Sequence, residues 1–334
     1  MIPSIRLHPF TITLSFTLLC TALFVFFQPF FKKEDLSSSF PSSLLQLNTI
    51  FLSILIEAIP FVLIGVFIAG FIQIFIREEQ IKKWMPKNRF TAVLASCLIG
   101  ACFPACECGI VPIVRRLVAK GVPIHAGVGF LLTGPLINPI VLFSTYMAFG
   151  QDMKMAGLRM GVGFIAAVLI SLLIGLFFKH NQLKEQPVEQ EASAIPSKIA
   201  FGVRLWGMLT HSIDEFFDMG KYLVIGAFLA AFVQTYVSAQ SLLQTGGEKI
   251  PAALVMMGLA YVLSLCSEAD AFIGASFRHL FPPSSILAFL IYGPMIDLKN
   301  TFMLLSVFRI TFVLSLLVLI TVIVFFCTNF LPFL

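Results

Sequence analysis

Phe61-Val-Leu-Ile-Gly65-Val-Phe-Ile-Ala-Gly70-Phe-Ile-Gln73-Ile-Phe-Ile76 carries no charge, and its polar and apolar positions do not alternate. A strand of a membrane barrel would alternate with period two. A run that is apolar on every face is a helix whose surroundings are apolar too. Other charge-free stretches lie on either side of it: Phe10–Phe31, Tyr222–Gly247, Leu280–Ile296 and Ile310–Leu334. Roughly 20 helical residues cross a hydrocarbon core, and backbone in lipid must pair with itself. Hydrophobic residues make up 58% of the chain and charged residues 12%, against about 25% charged in a soluble domain. A soluble core of this length could not hide so many such runs. The sequence therefore predicts an all-α polytopic membrane protein.

Arg6 precedes the first apolar run, which is longer than a signal-peptide core and ends at Phe30-Phe31-Lys32-Lys33 without a small-residue cleavage site. It reads as a retained span. The net charge of +5 reflects loop bias and gives no reason to expect nucleic acid as a partner. Seven cysteines, most of them in apolar segments, do not form a secreted disulfide framework.

Laid on itself, the chain repeats. Glu57, Pro60, Gly65 and Gln73 have the spacing of Asp218, Lys221, Gly226 and Gln234. Phe130-Leu-Leu-Thr-Gly134-Pro135-Leu-Ile-Asn138 matches Phe289-Leu-Ile-Tyr-Gly293-Pro294-Met-Ile-Asp297. Between these landmarks, Cys106-Glu107-Cys108 falls opposite Cys266-Ser267-Glu268-Ala269-Asp270, and Arg115-Arg116 opposite Arg278-His279. Four landmarks in one order predict two related halves. The expected division is an N-terminal span and connector (1–47), a first repeat (48–178), a polar linker with an interfacial amphipathic helix (179–215) and a second repeat (216–334). Each repeat would hold an acidic-start helix, a Cys- and acid-bearing segment, a Gly-Pro-broken helix and a closing helix, placed at 155–178 and 303–330.

The loop 77–89 holds Arg77, Lys82, Lys83, Lys87 and Arg89, and 179–204 holds Lys179, Lys184, Lys198 and Arg204. Positive loops favour the cytoplasm, which also puts the N-terminus there. Three apolar segments lie between loops on one side, so 90–118 is expected to be a re-entrant hairpin turning near Pro104-Ala105-Cys106. The second half would then run with opposite polarity, a plan found among secondary transporters.

Three features could carry chemistry. The first is Cys102, Cys106 and Cys108 with Glu107, joined by Cys266 in the second half. Thiolates are soft donors, and Cys106, Cys108 and Glu107 are a candidate ligand set for a soft metal ion. Cys106 and Cys108 would converge only where the helix is unwound. Cys20, Cys97 and Cys327 read as small packing residues. The second feature is the carboxylates Glu57, Glu107, Asp218, Glu268, Asp270 and Asp297, in or beside apolar segments. Intramembrane carboxylates are costly, and here they are candidates for proton coupling. Lys221 and Lys299 read either as internal counter-charges or as snorkelling side chains. The third is the set of helix breaks expected at Pro104, Pro112, Gly134, Pro135, Pro139, Gly293 and Pro294, with Asn138 lining a substrate site. No P-loop, dinucleotide fingerprint, zinc-protease helix or nucleophile elbow occurs, so the reading is a transporter and not an enzyme, with no cofactor.

Pro104-Ala-Cys106-Glu-Cys108-Gly109-Ile-Val-Pro112, Gly134-Pro135-Leu-Ile-Asn138-Pro139 and Leu265-Cys266-Ser267-Glu268-Ala269-Asp270-Ala271-Phe272 resemble the predicted permease family of the ArsP/YraQ type. The likeness covers roughly residues 48–330. It implies a multi-pass protein of the bacterial cytoplasmic (inner) membrane and candidate substrate roles for Cys106, Cys108 and Cys266. Some members export trivalent organoarsenicals; the likeness names no substrate. Glu107 between the thiols would favour a metal cation or proton coupling. The expectation is therefore proton-coupled export of a small thiophilic solute, a metalloid or a soft metal ion, bound between the repeats. The alternatives are a membrane thiol-redox component using Cys102, Cys106 and Cys108, and a structural subunit. The expected partners are the lipid bilayer, the small-molecule or ion substrate, and either further copies of the chain or an accessory subunit.

Overall fold

The computed structural model describes residues 42–76, 78–86, 88–103, 105–178, 182–184, 201–236 and 249–330. The expected span 10–31, Cys20, Pro104 and most of the linker 179–200 lie outside the described residues. Thirteen helices are described: α1 (Ser42–Phe75), α2 (Glu78–Trp84), α3 (Arg89–Ala101), α4 (Glu107–Ala119), α5 (Ile124–Thr133), α6 (Pro139–Ala148), α7 (Met153–Phe177), α8 (Phe201–Tyr236), α9 (Lys249–Leu263), α10 (Ser267–Ser276), α11 (Pro283–Met295), α12 (Leu298–Val307) and α13 (Ile310–Phe330).

Among the described residues, four helices are long and apolar enough to cross a membrane: Ser43–Phe75, Met153–Phe177, Trp206–Tyr236 and Ile310–Phe330. In α13, Phe312, Leu316, Ile320, Val324 and Thr328 are buried, while Ile310, Leu314, Val318, Val322, Phe326 and Phe330 are exposed. The spacing of four puts each set on its own helix face. An exposed stripe of this size would drive aggregation in water, but lipid tails solvate it. The short helices α5 and α11 lie inside instead. All of α11 from Ser284 to Met295 is buried, and α5 is buried almost throughout.

The segment 90–118 is a hairpin. A side chain at Gly100 would meet Phe130 and Thr133, and one at Gly129 would meet Ser96 and Cys97, so α3 runs parallel to α5. Gly127 faces Val114 and Val118, and Gly134 faces Ile110, so α4 runs antiparallel to α5. The two arms therefore run in opposite directions and turn between Cys102 and Cys106. Each arm has 13 residues, about 20 Å, short of the roughly 30 Å hydrocarbon core. The hairpin returns to where it began: Lys120 Nζ donates to the carbonyls of Gln73 and Ile76 at the end of α1. Arg89, Gly121, His125, Gly175 and Phe178 line one cavity of about 380 Å³ at this same end. In the second half, α9 and α10 break at Ser264–Cys266. Asp270 faces Gly293 and Gly274 faces Phe289 and Leu290, so α10 is antiparallel to α11.

Four expectations change. The helix α8 runs unbroken from Phe201 to Tyr236, so the boundary expected at 215/216 falls inside a helix; no proline interrupts that stretch. Pro112 lies inside α4 and Gly293-Pro294 inside α11. One missing amide removes a single helix bond and does not end a helix by itself. The second break falls at Ile296–Asp297, where Ile296 is extended. The closing helix begins at Ile310, not 303, because Phe308 leaves helical geometry. There the linker residues 182–184 dock: Leu183 pairs with Phe308, Lys184 N–H donates to Val307 O, and Lys184 Nζ to Leu305 O.

Candidate functional site: buried charges at two hairpin tips

The turn of the hairpin 90–118 and the break between α9 and α10, the second tip, share a local design. Cys106 is the extended N-cap of α4 (φ −75°, ψ 167°) and Cys266 the extended N-cap of α10 (φ −75°, ψ 157°). Glu107 then opens α4, where the helix dipole favours a negative charge. Ser264, just before the second turn, is held at φ 46°. A left-handed serine costs roughly 1–3 kcal/mol, and the residue's carbonyl accepts from Lys299 Nζ at 2.9 Å.

Lys299 joins the halves. Its ammonium lies 2.8 Å from Glu107 Oε1 and 3.3 Å from Asp297 Oδ2. Asp297 Oδ1 accepts from Asn300 N–H at 2.6 Å, capping α12. Arg159 works from the other direction. Nη1 donates to Thr145 Oγ1 at 2.6 Å and Nη2 to Ser267 O at 2.9 Å. Ser267 Oγ donates to Pro135 O at 2.6 Å, in the break between α5 and α6. Asp270 lies in the electrostatic range of Arg159, Glu107, Lys299 and Asp297. Exposure is 0% for Arg159, 1% for Glu107, Asp270 and Asp297, and 3% for Lys299. Among the described residues, three carboxylates thus face two cations in a dry interior, and neither oxygen of Asp270 has a hydrogen-bond partner.

Two repeated glycines seat the central pair. A β-carbon at Gly65 would collide with the Gly109 backbone, so α1 and α4 touch main chain to main chain two residues from Glu107. A β-carbon at Gly226 would come within 2.9 Å of Lys299 Cα, so α8 and α12 do the same.

Not all expected site residues gather here. Cys106 and Cys108 lie close enough to act on each other, across the extended backbone at Cys106. Cys266 contacts the Glu57 side chain. Cys102 is exposed, Cys106 and Cys266 are half-buried and Cys108 is buried. Glu57 is exposed and Glu268 half-buried. Asp218 pairs with Lys221 at 2.9 Å on a partly exposed helix face, outside the network. Asn138 is an N-cap at the helix break: Oδ1 accepts from Val141 N–H at 2.8 Å and Nδ2 donates to Gly134 O at 3.5 Å. No three His, Cys, Asp or Glu side chains are grouped for a metal among the described residues. The ligand set Cys106, Cys108 and Glu107 is not assembled, because Glu107 faces Lys299. Cys97 lies fully buried against Gly129, as a packing residue should.

Sequence reasoning misses Arg159 and Glu215. Arg159 is detectable as the one charge in the interior of an otherwise apolar helix, since Lys154 lies at its first turn. Glu215 receives Arg115 Nη1 at 3.4 Å and Arg116 Nη2 at 2.8 Å, all three buried. In the sequence those arginines look like loop charges.

Broken helices and buried charges inside a lipid-facing bundle define a multi-pass membrane protein of the permease class. The chain belongs to the family described as "Predicted permease" (ArsP_1), whose model matches residues 43–331. It is 53% identical over 283 residues to the UPF0718 protein YcgR of Bacillus subtilis (strain 168), covering 85% of this chain and 96% of that one. It is 42% identical over 275 residues to a Streptococcus mutans serotype c protein named as a putative two-component membrane permease complex subunit, covering 82% of this chain and 91% of that one. Over 141 residues it is 25% identical to the UPF0718 protein MJ0584 of Methanocaldococcus jannaschii, covering 42% and 38%. No solved structure matches.

Proposed function

We propose that the chain is a secondary permease of the bacterial inner membrane, exporting a small thiophilic solute in exchange for protons. The observation that carries the coupling is the uneven count of buried charges at the two tips. Glu107, Asp270 and Asp297 face Lys299 and Arg159. An unpaired buried charge costs several kcal/mol, so one carboxyl holds a proton at rest and gives it up when the site opens. Thiols at both hairpin tips, from Cys106, Cys108 and Cys266, are the soft donors for a metalloid or soft metal ion.

The two repeats are read as an inverted pair. In support, α5 starts at the end marked by Ile76, Lys120 and Gly175, whereas α12 finishes at that end, where Lys184 meets Leu305 and Val307. Basic residues flank that end, and it is read as cytoplasmic. The Streptococcus relative, named as a complex subunit, supports a second chain in the working assembly.

The test is uptake into everted vesicles across organoarsenicals, Zn²⁺ and Cu⁺, with the chain expressed alone and with its chromosomal neighbours. Wild type should accumulate one of these in a proton-gradient-dependent way, and Cys106→Ser/Cys108→Ser should not. Equal accumulation of every solute by both proteins would remove the soft-ligand reading, and insensitivity to an uncoupler would remove the proton.

A further inference from the structure

The ammonium of Lys299 has three oxygens around it from three elements: Glu107 Oε1 of α4 at 2.8 Å, Asp297 Oδ2 before α12 at 3.3 Å, and Ser264 O of the second hairpin tip at 2.9 Å. These are two carboxylates and a main-chain carbonyl, the donors that hard cations choose and soft ions do not. The serine is bent into left-handed backbone to supply the third. The second oxygen of Glu107 is buried with no hydrogen-bond partner, so the pocket offers more oxygen than the ammonium uses. The side chain reaches the site from α12 at the point where Gly226 lets α8 press on Lys299 Cα, which fixes the root of the lysine while its tip fills the pocket.

We propose that Glu107, Asp297 and Ser264 form a monovalent-cation site that the chain occupies with its own lysine, so that the wild-type protein requires no sodium or potassium to hold the hairpin tips together. A tethered cation cannot leave, and the coupling ion must then be one that binds without displacing it, which is a proton. This deepens the coupling reading above and rests on it. The test is read on stability and not on transport, so either can fail alone.

Shortening Lys299 to alanine empties the pocket and leaves two carboxylates facing each other. The Lys299→Ala protein, purified in detergent with lipid, is unfolded by heat in chloride salts of ammonium, sodium, potassium or N-methyl-D-glucamine at equal ionic strength. A small cation should raise its midpoint saturably, by about 2 °C at ten times the dissociation constant, while the bulky cation does nothing. Wild type should not distinguish the four salts. Glu107→Gln/Lys299→Ala, with half the carboxylate charge gone, should lose most of the response. Where Lys299→Ala does not fold in any salt, Lys299→Val keeps apolar packing at the root of the side chain, leaves the three oxygens uncovered, and its midpoint should show the same order of cations. A folded Lys299 variant blind to all four salts overturns the proposal. So does a wild type that depends on sodium or potassium as strongly as the variant, or a response that survives removal of Glu107.

Discussion

Lys299 Nζ lies 2.8 Å from Glu107 Oε1, with both side chains out of solvent, and the two residues come from opposite halves of the sequence. One contact therefore ties the tip of the first hairpin to the start of the last broken helix. Arg159 makes the reciprocal tie, reaching from the first half to Ser267 O at the second tip. A permease must loosen such ties to open, so they should govern stability and turnover together.

Removing the Lys299 charge leaves Glu107 and Asp297 buried without the cation between them, a change of roughly 3–5 kcal/mol, whereas neutralising Glu107 leaves Lys299 with Asp297 at 3.3 Å and should cost less. Lys299→Met and Glu107→Gln should each lower the thermal midpoint of the purified protein. Glu107→Gln/Lys299→Met should recover a large part of the loss. A double variant as unstable as the sum of the singles would show that the pair is not coupled.

Gly65 and Gly226 are predicted to act at a distance through backbone spacing. Gly65→Val pushes α1 from α4, and Gly226→Val pushes α8 from α12. Overpacking of this kind costs about 1–3 kcal/mol or more. Transport by either variant should fall well before expression does. At Gly157 an added β-carbon would meet nothing within 4 Å, so that position should accept alanine without loss.

Glu215→Gln removes the carboxylate that both Arg115 and Arg116 meet. The arginines stay charged, so the midpoint should fall by an amount reflecting about 3 kcal/mol. Glu215→Asp should keep more of it. A Glu215→Gln protein as stable as wild type would show that other contacts carry these arginines.

The hairpin makes a topological prediction. In a cysteine-free background, Glu79→Cys and Ala119→Cys should react with a membrane-impermeant thiol reagent from one side, and Lys154→Cys from the other. Labelling of right-side-out and everted vesicles decides it. Ala119→Cys reacting from the Lys154 side would mean that 90–118 crosses fully.

Much of this is legible in the chain. Apolar length and charge-free runs mark the long helices. The spacing of Gly65 and Gly226, of Cys106 and Cys266, and of Asn138 and Asp297 marks positions that are two close helix crossings, two extended N-caps and two side-chain caps. These are local or backbone properties, so a residue type at a fixed spacing is enough to signal them. Asp218 pairs with a neighbouring lysine and Asn138 caps its own helix, contacts that an isolated polar residue in an apolar run does not announce. Arg159 stands out as the one charge inside its helix, but it has no counterpart in the second repeat and so falls outside the repeated landmarks.

The sequence by itself determined that the chain is helical and lives in lipid, because the length and apolarity of a run are decided locally; of the expected breaks, the one at Gly134-Pro135 stands, while Pro112 and Gly293-Pro294 lie inside helices. Only the tertiary structure decided which charges meet. A dry interior makes a Coulomb contact of a few ångströms far stronger than it is in water, and that distance between Glu107 and Lys299 exists only once the hairpin has folded back and both glycines have let their neighbours in.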